Sequence, residues 1–279
     1  MCAHCHTAPP ADALAPDALR TLRGIGHVRR RAKALNRSLT EEALAAEWRL
    51  VTVAKKAGER PIEEAARREF RREAREVLGA LPSVSRSLVF DLDGWARGMA
   101  AEIGAPTVEA IRAGFEAAAA RLGVEEVAPF RPDDPRVRTT LRSILGKTSD
   151  IAETTADRLT RTLMEGVGAG EDLDALAARV RAVFESASVH RSRAIAQTAG
   201  TGAYERGQQV GFAEAGVGRR RWLSARLPTT RPAHFEADGQ EVGVEEPFSV
   251  GGESLMFPAD PAGSAGNTIF CYCTVLPLL

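Results

Sequence analysis

At Gly216 the sequence changes character, and that change limits the folds open to it. Up to this point apolar residues recur at helical spacing. Residues 217–279 instead combine many Gly and Pro residues with no helical period. They hold only short strand-like pieces, near 221–224, 241–244, 254–257 and 273–276. Strands this short need a surface to pack on, and the preceding helices are the natural floor. The expected fold is therefore α+β and predominantly helical. A helical N-terminal domain is followed by a C-terminal domain of helices and short strands.

Within the helical part, Thr40 followed by Glu41 and Glu42 reads as a helix start. Pro61 fits the first turn of another helix. That helix would carry Ile62, Ala66, Phe70, Ala74 and Val77 as an apolar stripe. Its other face interleaves Arg67, Arg68, Arg71, Arg72 and Arg75 with Glu63, Glu64, Glu69, Glu73 and Glu76, the mark of a solvated face laced with ion pairs. A third helix is expected from about Thr107 to Leu122, ended by Gly123. The run Pro129-Phe130-Arg131-Pro132-Asp133-Asp134-Pro135 breaks regular structure. It divides the chain into a flexible lead-in (1–17), a helical domain (18–128) and a C-terminal domain (129–279). The last comprises helices to about 216 and a Gly/Pro-rich β cap over 217–279. Its helices are expected near 136–165, 173–188 and 190–215.

Lys and Arg balance Asp and Glu at 37 each in a chain of 279 residues, but unevenly. Net charge is +6 over residues 1–90, −5 over 91–189 and −1 over 190–279. A basic front end could face nucleic acid or an acidic partner. No apolar run reaches the roughly 18–20 residues that span a bilayer. The N-terminus lacks the pattern of a secretory signal. The expectation is a soluble, intracellular protein with no membrane partner.

Few local motifs carry chemistry. Leu88-Val89-Phe90-Asp91-Leu92-Asp93-Gly94 is similar to the first motif of haloacid-dehalogenase-type phosphatases, in which paired carboxylates hold Mg²⁺ and one attacks phosphate. A Mg²⁺-dependent phosphatase using Asp91 and Asp93 is thus an alternative function. The alternating strands and helices such an enzyme needs do not follow, so a helix or buried turn with a solvent-facing Asp fits better. Gly146-Lys147-Thr148 lacks the upstream glycine of a phosphate loop. Arg219-Arg220-Arg221-Trp222 offers cations beside an aromatic ring, suiting a nucleic-acid contact or a standalone nucleic-acid binder. It reads better as a strand entry with Trp222 buried and alternating arginines exposed. The four cysteines lie at the two ends, Cys2 and Cys5 beside His4 and His6, then Cys271 and Cys273. The first pair has metal-binding spacing. His234, Cys271 and Cys273 either gather as a structural Zn²⁺ site or simply pack. No other cofactor is expected.

The densest signal is a series of patches in the C-terminal half. Arg193-Ala194-Ile195-Ala196-Gln197-Thr198 and Gly202-Ala203-Tyr204-Glu205-Arg206-Gly207 share one helix. Arg221-Trp222-Leu223-Ser224-Ala225-Arg226, Thr230-Arg231-Pro232-Ala233-His234 and Asp238-Gly239 follow. Then come Gly252-Glu253-Ser254-Leu255-Met256-Phe257-Pro258, Asp260-Pro261, Ser264-Ala265-Gly266-Asn267 and Cys271-Tyr272-Cys273. In this order the patches resemble the Mu F-like phage head morphogenesis family, the minor capsid or minor head proteins, over about residues 136–279. Ala199 after Thr198 and Tyr272 between the cysteines depart from the family's usual Glu and Arg.

The resemblance implies a low-copy virion component associated with the portal inside the head. Such a protein acts in capsid assembly, DNA packaging or ejection through binding rather than catalysis. Its expected partners are portal protein, major capsid protein and packaged double-stranded DNA, with several copies per particle. Its expected locations are the capsid interior near the portal and the host cytoplasm during assembly. The polar motif residues are Arg193, Thr198, Arg206, Asp238 and Asn267. Arg193 and Arg206 are expected to donate to carbonyls of the irregular cap, and Asp238-Gly239 to turn a hairpin.

Overall fold

The computed structural model describes residues 40–83, 89–124 and 128–278. The lead-in, with Cys2, His4, Cys5 and His6, lies outside the described residues, as does the expected helix start at Ala18. Thr40 caps the first helix, α1 (Glu41–Ala80), by accepting a hydrogen bond from the Ala43 amide at 3.2 Å. Pro61 does not open a new helix; it sits inside this 40-residue one. A helix-interior proline costs about 3 kcal/mol. Burial on both sides of it, from Val51 and Lys55 to Ile62, Ala66 and Phe70, keeps the helix continuous.

The next helix, α2 (Leu92–Leu122), begins well before Thr107 and runs through Pro106. Asp91 caps it, accepting from the Gly94 amide at 2.8 Å, and Gly123 ends it in the left-handed conformation. The stretch expected as one helix over 136–165 is two, α3 (Pro135–Gly146) and α4 (Thr148–Gly168). They lead to α5 (Leu173–Ser186), a π-helical turn at Ala187–Arg191, and α6 (Ser192–Glu214).

Helix α6 organises the molecule. Every residue from Gly200 to Phe212 is buried, although the stretch includes Thr201, Glu205, Arg206, Gln208 and Gln209. Its crossing with α2 is close because small residues face each other. A Cβ on Gly207 would lie 1.9 Å from the Ile111 carbonyl oxygen, and one on Gly114 would lie 2.0 Å from that of Tyr204. Only glycine allows backbones this near.

One apolar core runs through the helices. It joins Ile62, Phe70, Trp95, Ile111 and Phe115 to Leu159, Phe184, Ala203 and Val210. The expected boundary at residue 129 therefore does not separate two cores. A second core lies under the cap, where Phe212 and Val217 meet Trp222, Phe248, Leu255, Cys271 and Val275.

The cap begins with β1 (Arg219–Leu223) and a short helix, α7 (Pro232–Glu236). Strands β2 (Glu241–Gly243), β3 (Phe248–Val250) and β4 (Glu253–Leu255) follow, then α8 (Ala265–Thr268) and β5 (Thr274–Leu278). β1 is central in an antiparallel sheet of order β2-β1-β5, with Trp222 opposite Val275. β3 and β4 form a hairpin whose turn residues, Gly251 and Gly252, both have positive φ, 58° and 80°. This two-residue turn matches the strand twist and favours glycine. The expected hairpin at Asp238-Gly239 is instead the exit from α7 into β2; the Gly239 amide donates to the Trp222 carbonyl at 2.9 Å.

Candidate metal centre and the seam that holds the cap

The segment before β5 is extended, so alternate side chains share a face. Cys271 and Cys273 consequently point the same way, each 1% exposed. Helix α7 starts on Pro232 at its first turn and turns His234 inward, 2% exposed, edge-on to the Trp222 ring at 5.8 Å between centroids. His234 Nδ1 lies 3.6 Å from Cys271 Sγ and 3.5 Å from Cys273 Sγ. The other ring nitrogen, Nε2, is buried without a protein partner. The hydrogen bond to Cys271 and burial raise the Cys273 thiol; the same bond and His234 lower that of Cys271, against burial. A cavity of about 20 Å³ adjoins the cluster, bordered by Thr229, Thr230 and Arg231.

Each backbone carbonyl of this segment is held by a helix side chain. Gln197 Nε2 donates to the Cys271 carbonyl at 2.7 Å, Trp48 Nε1 to that of Tyr272 at 2.9 Å, and Lys55 Nζ to that of Cys273 at 2.6 Å. Lys55 also pairs with Glu205 at 2.5 Å, both side chains being buried. Burial lifts the Glu205 carboxyl above the ordinary range, and the Lys55 ammonium opposes that lift. Elsewhere along the seam, Gln208 reaches Thr274 Oγ1 at 3.3 Å and Gln209 the Val244 carbonyl at 3.0 Å. The polar residues of α6 thus find partners in an interior that would otherwise penalise their burial.

The motif residues fall into distinct places. Arg206 does not donate to a cap carbonyl: it bonds Thr140 Oγ1 at 2.7 Å and Gln209, and lies 4.5 Å from the centre of the Phe257 ring. Burial lowers its pKa. Arg193 is exposed on α6. Thr198 Oγ1 accepts from the Phe270 amide at 3.3 Å. Asn267 donates to the Val250 carbonyl at 3.2 Å. Asp238 accepts from the Ser224 amide at 2.7 Å and pairs with Arg226 at 2.6 Å. Asp260, which the sequence patches include without a role, accepts from the Met256 and Ala262 amides at 2.8 and 3.0 Å.

The arginine triplet is not an exposed cationic face. Arg220 is fully buried, donating to the Met256 and Glu246 carbonyls at 2.7 and 2.8 Å. Arg219 and Arg221 both pair with Glu241. Trp222 and Arg220 share the inner face because they are two residues apart in a strand. Asp91 caps a helix rather than ending a strand, and Asp93 is exposed in the first turn. Neither position has the surroundings of a phosphatase nucleophile.

Residues 157–276 match the family model of the Phage Mu protein F like proteins. The matched segment runs from within α4 to within β5 and contains all of α5, α6 and the His234, Cys271 and Cys273 cluster. It leaves out α1 and α2, the helices that bury α6. Two curated relatives are similar over part of their length. The "Uncharacterized protein YqbB" of Bacillus subtilis is 30% identical over 94 residues, 32% of this chain and 31% of that protein. The "NAD(+)--arginine ADP-ribosyltransferase EFV" of Enterococcus faecalis is 29% identical over 128 residues, 44% of this chain and 26% of that protein. The chain thus spans about a third and a quarter of the length of these relatives. No solved structure matches it. No helix among the described residues is long and apolar enough to cross a membrane.

Proposed function

We propose that this chain is a minor head protein, a low-copy, portal-associated component of the phage head interior that acts by binding in capsid assembly, DNA packaging or ejection. The observation that carries this reading is the Mu F-like match over residues 157–276. Several polar residues of the matched segment support it, because they are spent on bonds within the molecule. Gln197, Glu205, Arg206, Asp238, Asp260 and Asn267 all bond within the molecule. Side chains committed to holding a cap on helices serve shape, which is what an assembly protein needs.

Exposed apolar side chains offer contact surface for protein partners: Phe235, Ile269 and Phe270 in the cap, and Met164 and Val167 at the end of α4. The 219–221 stretch contributes little free positive charge, so portal or shell protein fits as a partner better than DNA at that site. The transferase activity in the second relative's name is not carried over, because the likeness covers 26% of that protein. Co-expression with the portal protein of the phage or prophage that encodes it tests the proposal. A complex that survives size-exclusion chromatography is expected. Failure to associate with either portal or major capsid protein, at any stage of head assembly, contradicts it.

A further inference from the structure

We propose that His234, Cys271 and Cys273 bind one Zn²⁺ ion through Nδ1 and the two Sγ atoms, stapling α7 to the segment that leads into β5. Zn–S bonds of about 2.3 Å and a Zn–N bond of about 2.05 Å at tetrahedral angles place nitrogen and sulfur about 3.55 Å apart. The two observed separations are 3.6 and 3.5 Å. All three ligand atoms lie within 4.8 Å of one another.

Packing alone accounts for this arrangement less well. A neutral imidazole nitrogen has one lone pair and can accept from one thiol, yet two sulfurs converge on the same Nδ1. A single cation serves all three atoms at once. Two thiolates and a dication sum to zero charge, which lowers the penalty for placing the site beside Trp222. The soft sulfur pair with an imidazole favours Zn²⁺ over Mg²⁺ or Ca²⁺. The ligands are also pre-positioned, since Gln197 and Lys55 hold the carbonyls of the two cysteines themselves. The fourth position faces the 20 Å³ cavity at Thr229, Thr230 and Arg231, where one water molecule fits.

The test uses the full chain grown with added Zn²⁺, purified under reducing conditions and analysed for metal by mass spectrometry. One Zn²⁺ per chain is expected. It should be lost in Cys271→Ser/Cys273→Ser and kept in Cys2→Ser/Cys5→Ser, which separates this site from the N-terminal cysteines. Because the first double variant could fail to fold, Co²⁺ is also added to metal-stripped wild-type protein. Near-ultraviolet sulfur-to-metal charge-transfer absorption with intense visible d–d bands is expected, and His234→Ala should weaken it. Three results would each overturn the proposal: wild-type protein with no Zn²⁺ and no charge-transfer band, metal retained after loss of Cys271 and Cys273, or metal lost with Cys2 and Cys5.

Discussion

Replacing Lys55 with Met tests whether the helices hold the cap through buried charge. The substitution keeps most of the aliphatic stem but removes the ammonium 2.5 Å from Glu205 and 2.6 Å from the Cys273 carbonyl. Glu205 is fully buried, so its carboxylate then loses its ion-pair partner and keeps only the more distant Arg121 charge. It escapes by taking a proton, which limits the cost. From an ordinary value of 4.5, protonation at pH 7 costs up to about 3.4 kcal/mol, at about 1.36 kcal/mol per pH unit. The orphaned Cys273 carbonyl adds about 1 kcal/mol. The total is at most about 4 kcal/mol at neutral pH, smaller by the part of the lift that Glu205 already carries beside Lys55.

The sign of the pH dependence follows from proton counts. In Lys55→Met the folded state holds a proton on Glu205 that the unfolded state releases above 4.5, so stability falls as pH rises. Below 4.5 both states are protonated and only the carbonyl cost remains. Urea unfolding followed by tryptophan fluorescence, run at several pH values, reads the difference directly. The deficit should shrink to about 1–2 kcal/mol near pH 5. It should lose its pH dependence in Lys55→Met/Glu205→Gln. A deficit under about 1 kcal/mol at neutral pH, or one that does not vary with pH, would refute the reasoning.

Other expectations follow from the same structure. Gly207→Ala forces a Cβ to 1.9 Å from the Ile111 carbonyl and should cost about 3 kcal/mol or more in thermal unfolding, whereas Gly146→Ala, with nothing within 4 Å, should be neutral or stabilising. Glu73 is raised to about 8, chiefly by burial and then by Glu69, so its folded form holds a proton the unfolded chain gives up. Its contribution is intact below 4.5 and lost as pH rises toward 8; Glu73→Gln should flatten the fall in urea midpoint across that window. Asp91→Ala should remove a helix cap worth about 1 kcal/mol while leaving Mg²⁺-dependent hydrolysis of an aryl phosphate at background. A fragment of residues 129–278 should aggregate or fail to give a cooperative melt, because α1 and α2 no longer cover α6; a soluble, cooperatively folding fragment contradicts the shared core.

Local signals in the sequence were strong where a single element decides its own structure. The Thr40 and Gly123 termini and the Ile62–Phe70 stripe are examples, each set within one or two turns of helix. The prolines misled for the opposite reason. Pro61 and Pro106 sit inside helices because packing far along the chain outweighs their local cost. The interleaved charge pattern marks Glu69 and Glu73 as solvated, yet both are buried, Glu69 against Arg72. Strand alternation places Arg220 on the same face as Trp222, and the structure buries both. The seam was out of reach. Trp48 with Tyr272 and Lys55 with Cys273 are 224 and 218 residues apart, and no local pattern pairs them. The burial of α6 on all sides was hidden as well, because its polar residues make it look half-exposed. By contrast, His234, Cys271 and Cys273 were legible as chemistry, and only the fold brings their ligand atoms to a common point.

The proposed head role is tested by quantitative mass spectrometry of particles from the phage or prophage that encodes this chain, with DNA-filled, empty and DNA-ejected heads compared. A few copies per DNA-filled head, in fixed ratio to the portal protein, is the predicted result. Absence from every particle and from assembly intermediates would contradict it.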